Sequence, residues 1–270
     1  MIKDITFGQY FKANSVIHRL DARLKTFLLI VFIVMLFICK SFATLGIFTA
    51  LLVSVLILSR VPLGLYLKNL KVIIPIVLLT SLLNLFYTKE GLEIIIFGSI
   101  SIFTGGIQKA LFMALRILLL IVVSSVLTYT TTPNEITDAI ERLLKPLKYI
   151  GLGNAVHTIA MMMTIALRFI PTLIDETDKI MNAQKARGAD MESGGLIQRI
   201  KALVPILIPL LISSVRRAYD LAEAMECRCY NGGKGRTRMK QMKLEIRDYI
   251  SLGITVFVFA GIILCDIFIV

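Results

Sequence analysis

The chain has 270 residues, of which 57% are hydrophobic, and its mean hydropathy is +0.81 although it carries a formal net charge of +12. Soluble domains of this size are rarely so apolar, so the composition excludes an ordinary soluble globular domain and predicts an integral membrane protein. The N-terminal stretch 1–25 is polar and basic, and no small-residue cleavage site follows an apolar run, so we expect no cleaved signal peptide.

Five apolar segments have the length of a membrane-spanning helix, which is about 20 residues, or ~17 where flanking charges reach the surface. They are 24–39, 41–59, 70–88, 107–129 and 249–270. Lys40 divides the first two segments, which predicts a helical hairpin with a tight turn. The run 94–103 is too short and too rich in β-branched residues to span, so we interpret it as an interfacial or re-entrant part of an outer loop. Arg116 is the main charge inside a span, and we expect it to snorkel or to pair with a neighbouring helix.

Two further apolar runs, 155–170 and 202–215, decide the topology. If both crossed the membrane, the basic stretches 171–201, with five Lys or Arg, and 216–247, with nine, would face opposite sides. The positive-inside rule disfavours this seven-span arrangement. We therefore predict an all-α protein of the cell membrane with about five spans, a cytoplasmic N-terminus and an extracytoplasmic C-terminus.

This topology divides the chain into three parts. We predict a membrane domain with four spans over 1–129, a helical cytoplasmic module over 130–248 and a closing span over 249–270. The module begins with helix-start residues, because Thr132 precedes Pro133 and Glu135 follows three residues after the threonine, as in a capping box. In this topology the module 130–248 lies between the lipid bilayer and the cytoplasm.

A long helix is predicted next, from about 154 to 187, kinked or broken near Pro171 because proline removes a backbone donor. Arg187 lies at its C-terminal end, between Ala186 and Gly188. We expect Gly188 to end the helix, because glycine tolerates the left-handed conformation found there. An arginine that closes an apolar helix face in this way is a candidate binding residue.

A similar pattern recurs further along the chain, around Arg228. Both stretches read Ala-x-x-small-Arg-small, at 183–188 and at 224–229, which indicates two copies of one binding device. The second copy has Cys227 and Cys229 where the first has alanine and glycine, so Asn231 or Gly232 is a candidate to end that helix instead. Small flanking residues let a partner's backbone come close while the guanidinium binds a carboxylate. The plainer alternative is that the helix dipole alone favours an arginine there, by about 0.3–1 kcal/mol.

Residue sets that would support catalysis are missing from the sequence. The stretch 230–238 is glycine-rich and basic, but it does not fit the spacing of a phosphate-binding loop. His18 and His157 have no carboxylate or cysteine partner at catalytic spacing, and the acids at 175–178 are interpreted as solvated helix surface or partner contact. The scattered cysteines, which include Cys39 and Cys265, indicate neither a disulfide framework nor a metal site. We expect no catalytic residues, no bound metal or cofactor and no nucleic-acid partner.

Residues 166–190 and 203–233 resemble the transmembrane (T) components of energy-coupling factor transporters, the vitamin and metal-ion uptake systems of the ABC class. The first block carries the RFIP start, at 168–171, and the terminal Ala-Arg-Gly that this family pairs, and the spans fit over the full length. The second block departs from the family at Cys227 and Cys229. The resemblance implies a non-catalytic subunit that couples ATP-driven motion to uptake of a vitamin or a transition metal.

The same resemblance implies the partners. Two cytosolic ATPases, which would hold the ATP and magnesium, receive the two arginine motifs, formed by Ala186, Arg187, Gly188, Cys227, Arg228 and Cys229. A separate membrane subunit captures the substrate and contacts the apolar faces of the module. For that contact we expect Met161, Met162, Met163, Leu207 and Leu211, because flexible methionines suit a surface that accepts several partners. Ordinary packing of these side chains within the module is an equal alternative.

Two other classes of protein remain as alternatives. A secondary transporter carrying its own substrate would need ionisable residues and broken helices near the middle of the membrane, and the spans are nearly featureless. A membrane-embedded transferase would need paired Asp-rich motifs at the membrane surface, and only the cluster at 175–178 comes near to one.

Overall fold

The computed structural model describes residues 10–88, 93–97, 100–151, 153–188, 195–232 and 244–269. These residues are predominantly helical, as predicted. The helices are α1 (Ala22–Ile38), α2 (Phe42–Ser59), α3 (Leu63–Tyr87), α4 (Thr104–Thr130), α5 (Pro133–Leu143), α6 (Gly153–Ala186), α7 (Leu196–Glu226) and α8 (Ile246–Ile269), with a 3-10 turn at Lys145–Ile150. Each of the five predicted spans coincides with a helix, namely α1 to α4 and α8.

The run 94–103 is an antiparallel hairpin of β1 (Glu93–Phe97) and β2 (Ile100–Phe103). The prediction that it is not a spanning helix is confirmed. Its backbone pairs Ile96 with Ser101 and Phe97 with Ile100. Because β-branched residues favour extended backbone, a short ladder is the local structure that this composition supports best.

Two compact units contain the described helices. The described residues of 10–139 and 244–269 form one, here called the bundle unit, and those of 140–232 form the other, here called the α6–α7 unit. By length and composition, six described helices could cross a membrane: α2, α3, α4, α6, α7 from Lys201 onward, and α8. The 17-residue α1 is shorter than these, and many large apolar side chains on the other helices are exposed.

The ends of the helices follow from their flanking residues. Asp21 caps α1 by accepting a hydrogen bond from the Arg23 amide at 2.9 Å. The predicted capping box of α5 is confirmed, because the Thr132 amide donates to Glu135 Oε2 at 3.2 Å and the Glu135 amide donates to Thr132 Oγ1 at 3.4 Å. The helix predicted at 154–187 is present as α6, but it is not broken: it continues through Pro171.

Within the bundle unit, α8 runs in the same direction as α1. The Asp21 amide, before α1, donates to Asp248 at the start of α8 at 3.0 Å. At the other end, the Lys40 amide in the turn between α1 and α2 donates to Asp266 near the end of α8 at 3.3 Å. The start of α1, the end of α2 and the start of α8 therefore lie at one end of this unit.

The core of the bundle unit lies between these helices and α4. Phe48 is fully buried and meets the Phe32 ring edge to face, with centroids 6.0 Å apart. Arg116 of α4 donates to the Cys39 carbonyl oxygen and lies over the Phe112 ring at 4.6 Å. The expectation that Arg116 pairs with a neighbouring helix is confirmed, since this carbonyl is at the end of α1.

Candidate functional site

The first predicted arginine motif forms the C-terminal end of α6. The last helical residue is Ala186, and Gly188 has the positive φ of 84° that was expected to end the helix. The Gly188 amide donates to the Lys185 carbonyl oxygen at 3.0 Å, which uses one of the carbonyls left free at a helix end. Arg187 therefore occupies the C-cap, and its side chain is exposed.

The second motif forms the end of α7 with the same geometry. The Cys229 amide donates to Glu226 at 2.8 Å and the Tyr230 amide to Met225 at 3.0 Å, which is the complete pattern of a Schellman motif. Cys229 itself adopts the left-handed conformation, with φ at 52°. The expectation that Asn231 or Gly232 ends this helix is wrong, because the turn closes before either residue. Arg228 is thus the C-cap of α7, as Arg187 is of α6.

The left-handed cysteine gives a testable consequence. A non-glycine residue in this conformation costs about 1–2 kcal/mol, and glycine has no such cost. We expect Cys229→Gly to stabilise the end of α7 by about 1 kcal/mol, seen as slower amide hydrogen exchange in its last turn. Cys227→Gly is the matched control, and should speed exchange by a similar amount because Cys227 lacks a positive φ. Equal effects of the two changes would contradict the assigned cap.

The arginines that end α6 and α7, Arg187 and Arg228, are here called the arginine tips. Both present positive charge to the solvent. Ala186, Cys227 and Arg228 are exposed, as is Arg187. Among the described residues, neither guanidinium has a hydrogen-bond or ion-pair partner. Each arginine is also at the carbonyl end of its helix, where the dipole favours a cation. Within the described part of the chain, the tips can therefore bind an anionic group without first losing an internal contact.

An ion pair joins α6 to α7 between the two tips. Arg217 Nη2 donates to Glu176 Oε2 at 2.7 Å, and the Ser213 hydroxyl donates to the other carboxylate oxygen. Glu176 and Arg217 precede Arg187 and Arg228, respectively, by the same number of positions. Each tip is therefore ~16 Å of helix from this contact. Glu176 is one of the acids at 175–178 interpreted as helix surface or partner contact, and it is partly exposed but also binds α7.

The pairing of Glu176 with Arg217 is not predicted from the sequence, because the fold brings them together. Their equal spacing from Arg187 and Arg228 is the one feature of the sequence that points to it. The side chains of Arg217 and Glu176 are 36% and 21% exposed, so solvent weakens the pair. A double-mutant cycle of Glu176→Gln and Arg217→Gln should give a small but measurable favourable coupling in thermal unfolding. The neighbouring pair Asp175→Asn and Arg216→Gln, both exposed, should give none. A coupling of zero for the first pair would contradict the contact.

A second contact shows that α6 and α7 run in opposite directions. Tyr230, just after α7, donates its hydroxyl to Met161 Sδ at 2.8 Å, near the start of α6. Glu176, later in α6, contacts Ser213 and Arg217, which come earlier in α7. The two arginine tips therefore point away from each other, with about 30 Å of helix between them.

The residues expected to contact a capture subunit fall into two groups. Met162 and Met163 are 62% and 42% exposed, beside the partly buried Met161. Leu207 and Leu211 are 56% and 66% exposed, and Leu211 shortly precedes Ser213. A length of ~22 Å of α6 separates Met161 from Glu176 at the crossing. These are two exposed apolar patches on the α6–α7 unit.

The two histidines considered in the sequence analysis form contacts within the fold. His157 Nδ1 lies 3.0 Å from Glu141 Oε1, so the expectation that this histidine has no carboxylate partner is wrong. His18 contacts Ser15 and the Phe11 carbonyl oxygen. No three His, Cys, Asp or Glu side chains converge as a metal site within the described ranges. Most of the glycine-rich stretch 230–238 lies outside the described residues.

The chain is similar to known membrane transport proteins. The family model described as cobalt transport protein (CbiQ) matches residues 13–240. The chain is 54% identical over 253 residues to the energy-coupling factor transporter transmembrane protein EcfT of Clostridium kluyveri, covering 93% of each chain. It is 50% identical over 269 residues to that of Ruminiclostridium cellulolyticum, covering 98% of each, and 45% identical over 251 residues to that of Bacillus subtilis, covering 92% of this chain.

The chain therefore belongs to the family of the EcfT and CbiQ transmembrane proteins, as the sequence predicted. It is a multi-pass membrane component of an energy-coupling factor transporter.

Proposed function

We propose that this chain is the coupling subunit of its transporter, and that each arginine tip docks on one of two cytosolic ATPases. The observation that carries the proposal is the repeated helix end. Arg187 and Arg228 both occupy a C-cap, both precede a left-handed residue, and both are exposed. A guanidinium held in this way suits a partner groove that contains a carboxylate, since the two groups form paired, charge-assisted hydrogen bonds.

The opposite directions of α6 and α7 support a surface location for both helices. If this pair crossed the bilayer, its two tips would emerge on opposite faces, and one basic stretch would be outside the cell. If the pair lies along the cytoplasmic face, both arginines are on the same side, as the positive-inside rule favours. The spacing of about 30 Å then suits two partner subunits rather than one.

The crossing contact suggests how motion is transmitted. In the proposed cycle, ATP closes the two ATPases and moves the two tips relative to each other. Because Glu176 binds Ser213 and Arg217, and Tyr230 binds Met161, the two helices are joined at two points and move together, so that motion of either tip reaches the whole pair. The apolar patches at Met162 and Leu211 would carry this motion to a membrane subunit that captures a vitamin or a transition-metal ion.

The direct test is assembly with partners. We expect the tagged chain, co-expressed with two ABC-type ATPases and a capture subunit from the same genome, to purify as one complex and to support ATP-dependent uptake in proteoliposomes. A chain that takes up substrate without ATPases would contradict the proposal and favour a secondary transporter. The matched control is a complex in which the ATPases bind ATP but do not hydrolyse it.

The topology has its own prediction. In a background without other cysteines, single cysteines at 187 and 228 should both react with a membrane-impermeant maleimide only when the cytoplasmic face is open. A cysteine at position 40, at the other end of α1, should react only from outside. Labelling of 187 and 228 from opposite faces would contradict the surface location and support seven spans.

A further inference from the structure

We propose that the bundle unit binds an anionic phospholipid, with the phosphate held by Arg19, Arg60 and Arg247 and an acyl chain in the apolar groove beside them. These three arginines line one cavity of about 400 Å³. The groove adjoins it, also with a volume of about 400 Å³, and the two share Val16, Leu58 and Arg247. This site lies in the bundle unit, and the proposal does not depend on the coupling function.

The chain brings the three arginines together from distant positions. Arg19 precedes the cap of α1, Arg60 is the C-cap of α2, and Arg247 is in the first turn of α8. The contact of Asp21 with Asp248 places the starts of α1 and α8 side by side, and Arg60 at the end of α2 lines the same cavity. All three lie at the boundary between a span and its flanking segment, which is where a lipid phosphate lies.

Positive charge predominates among the described residues that line this cavity. None of the described residues that line either cavity is a carboxylate. Two acids close in sequence to Arg19 and Arg247 make other contacts: Asp21 binds the Arg23 guanidinium at 2.6 Å, and the buried Asp248 accepts the amides of Asp21 and Glu245. Three exposed guanidiniums that face one cavity repel one another, and a bound anion removes that repulsion.

Arg60 has a left-handed backbone conformation at the end of α2, a position where an arginine is unusual. Its φ is 56°, in the left-handed region where glycine or asparagine is usual at a helix end. An arginine there costs about 1 kcal/mol relative to glycine. The cost is offset if the side chain binds a ligand, and Arg60 lines the cavity that adjoins the groove.

The groove is lined mainly by apolar side chains, which suits the acyl chain of a lipid. Its walls come from α1, α2, α4 and α8, including Leu28, Leu51, Val126 and Ile254, and its volume is comparable to that of one acyl chain. Leu58 and Ile254 are more than half exposed, so the groove opens to the bilayer side of the helices. A ligand with an anionic head and an apolar tail fits both parts at once.

Native mass spectrometry of the full chain in detergent tests the proposal, with palmitoyl-oleoyl phosphatidylglycerol and the matching phosphatidylcholine added at equal concentration. We expect at least one phosphatidylglycerol to remain bound, with a preference of roughly tenfold or more over phosphatidylcholine, because each basic residue adds about fivefold. Soluble glycerol phosphate at the same concentration should not compete, since it lacks the tail.

The variant Arg60→Gln/Arg247→Gln should lose this preference, and Arg19→Gln/Arg247→Gln should do so without touching the left-handed position. Lys68→Gln/Lys71→Gln is the matched control, because it removes two exposed positive charges of α3 that do not line the cavity. Equal loss in the control would show general charge attraction and overturn the site, as would an unchanged preference in both arginine variants.

Ser251→Phe fills the groove and should release the lipid while the arginines remain. If this variant keeps the lipid but loses a protein subunit during co-purification, the groove is a protein interface and the proposal is wrong.

Discussion

Charge reversal at either arginine tip should weaken the association of this chain with its ATPases by roughly 30-fold to several thousand-fold. Arg187→Glu or Arg228→Glu removes a guanidinium that would be desolvated in the docked complex and leaves the partner's carboxylate facing a like charge. Loss of one member of such a pair costs about 2–5 kcal/mol of binding free energy. The measurement is the dissociation constant of the purified ATPase pair on immobilised variants of the chain.

Two matched variants separate docking from general charge. Arg168→Glu and Arg216→Glu make the same change at exposed positions of α6 and α7 that lie several helical turns before the respective tips. Both should bind ATPases within a few-fold of the original chain. Arg187→Lys should lie between the original and the reversal, because lysine keeps the charge but cannot bind a carboxylate in a fork. Reversals that bind like the original chain would eliminate the docking role.

The second large effect is expected at Gly106, where α4 packs against the end of α3. A Cβ at Gly106 would lie 2.8 Å from the Leu85 carbonyl oxygen and 3.3 Å from that of Thr88. Both are backbone atoms, so the helices themselves must move apart. Small residues let helix backbones approach in membranes, and we expect Gly106→Ala to lower the free energy of unfolding by about 1–3 kcal/mol. Gly106→Val should lower it further.

Gly64→Ala is the control for this prediction. Gly64 also lies in a helix of the bundle unit, but nothing is within 4 Å of its added Cβ. Alanine should therefore stabilise α3 slightly, by up to about 1 kcal/mol, through its higher helix propensity. Thermal unfolding in one detergent compares the three variants. If Gly106→Ala unfolds at or above the temperature of the original chain, the close contact between α3 and α4 is absent.

The features that sequence predicted correctly are those encoded locally. The capping box of α5 needs only Thr132 and Glu135, three residues apart, and the end of α6 needs only a glycine after Arg187. The helical spans follow from long apolar runs, since backbone groups in lipid must be satisfied within one segment. The family followed from two blocks with specific residues around the same arginines.

The features that sequence missed depend on contacts between distant residues or on a turn that overrides residue preference. Cys229 adopts a conformation that single-residue preference disfavours, because the Met225 and Glu226 carbonyls accept the amides of its turn. Glu176 looked like helix surface, and only the crossing of α6 with α7 brings Ser213 and Arg217 to it. Likewise, Arg19, Arg60 and Arg247 are inconspicuous in the chain and meet only because three helix ends come together.

Photocrosslinking in the assembled complex tests the central claim most directly. A photoreactive residue in place of Ala186 or Cys227 leaves each arginine intact and lies beside its tip. We predict that both positions crosslink to ATPase subunits. A photoreactive residue in place of Leu211 should instead crosslink to the capture subunit. A complete complex in which neither tip reaches an ATPase would contradict the account.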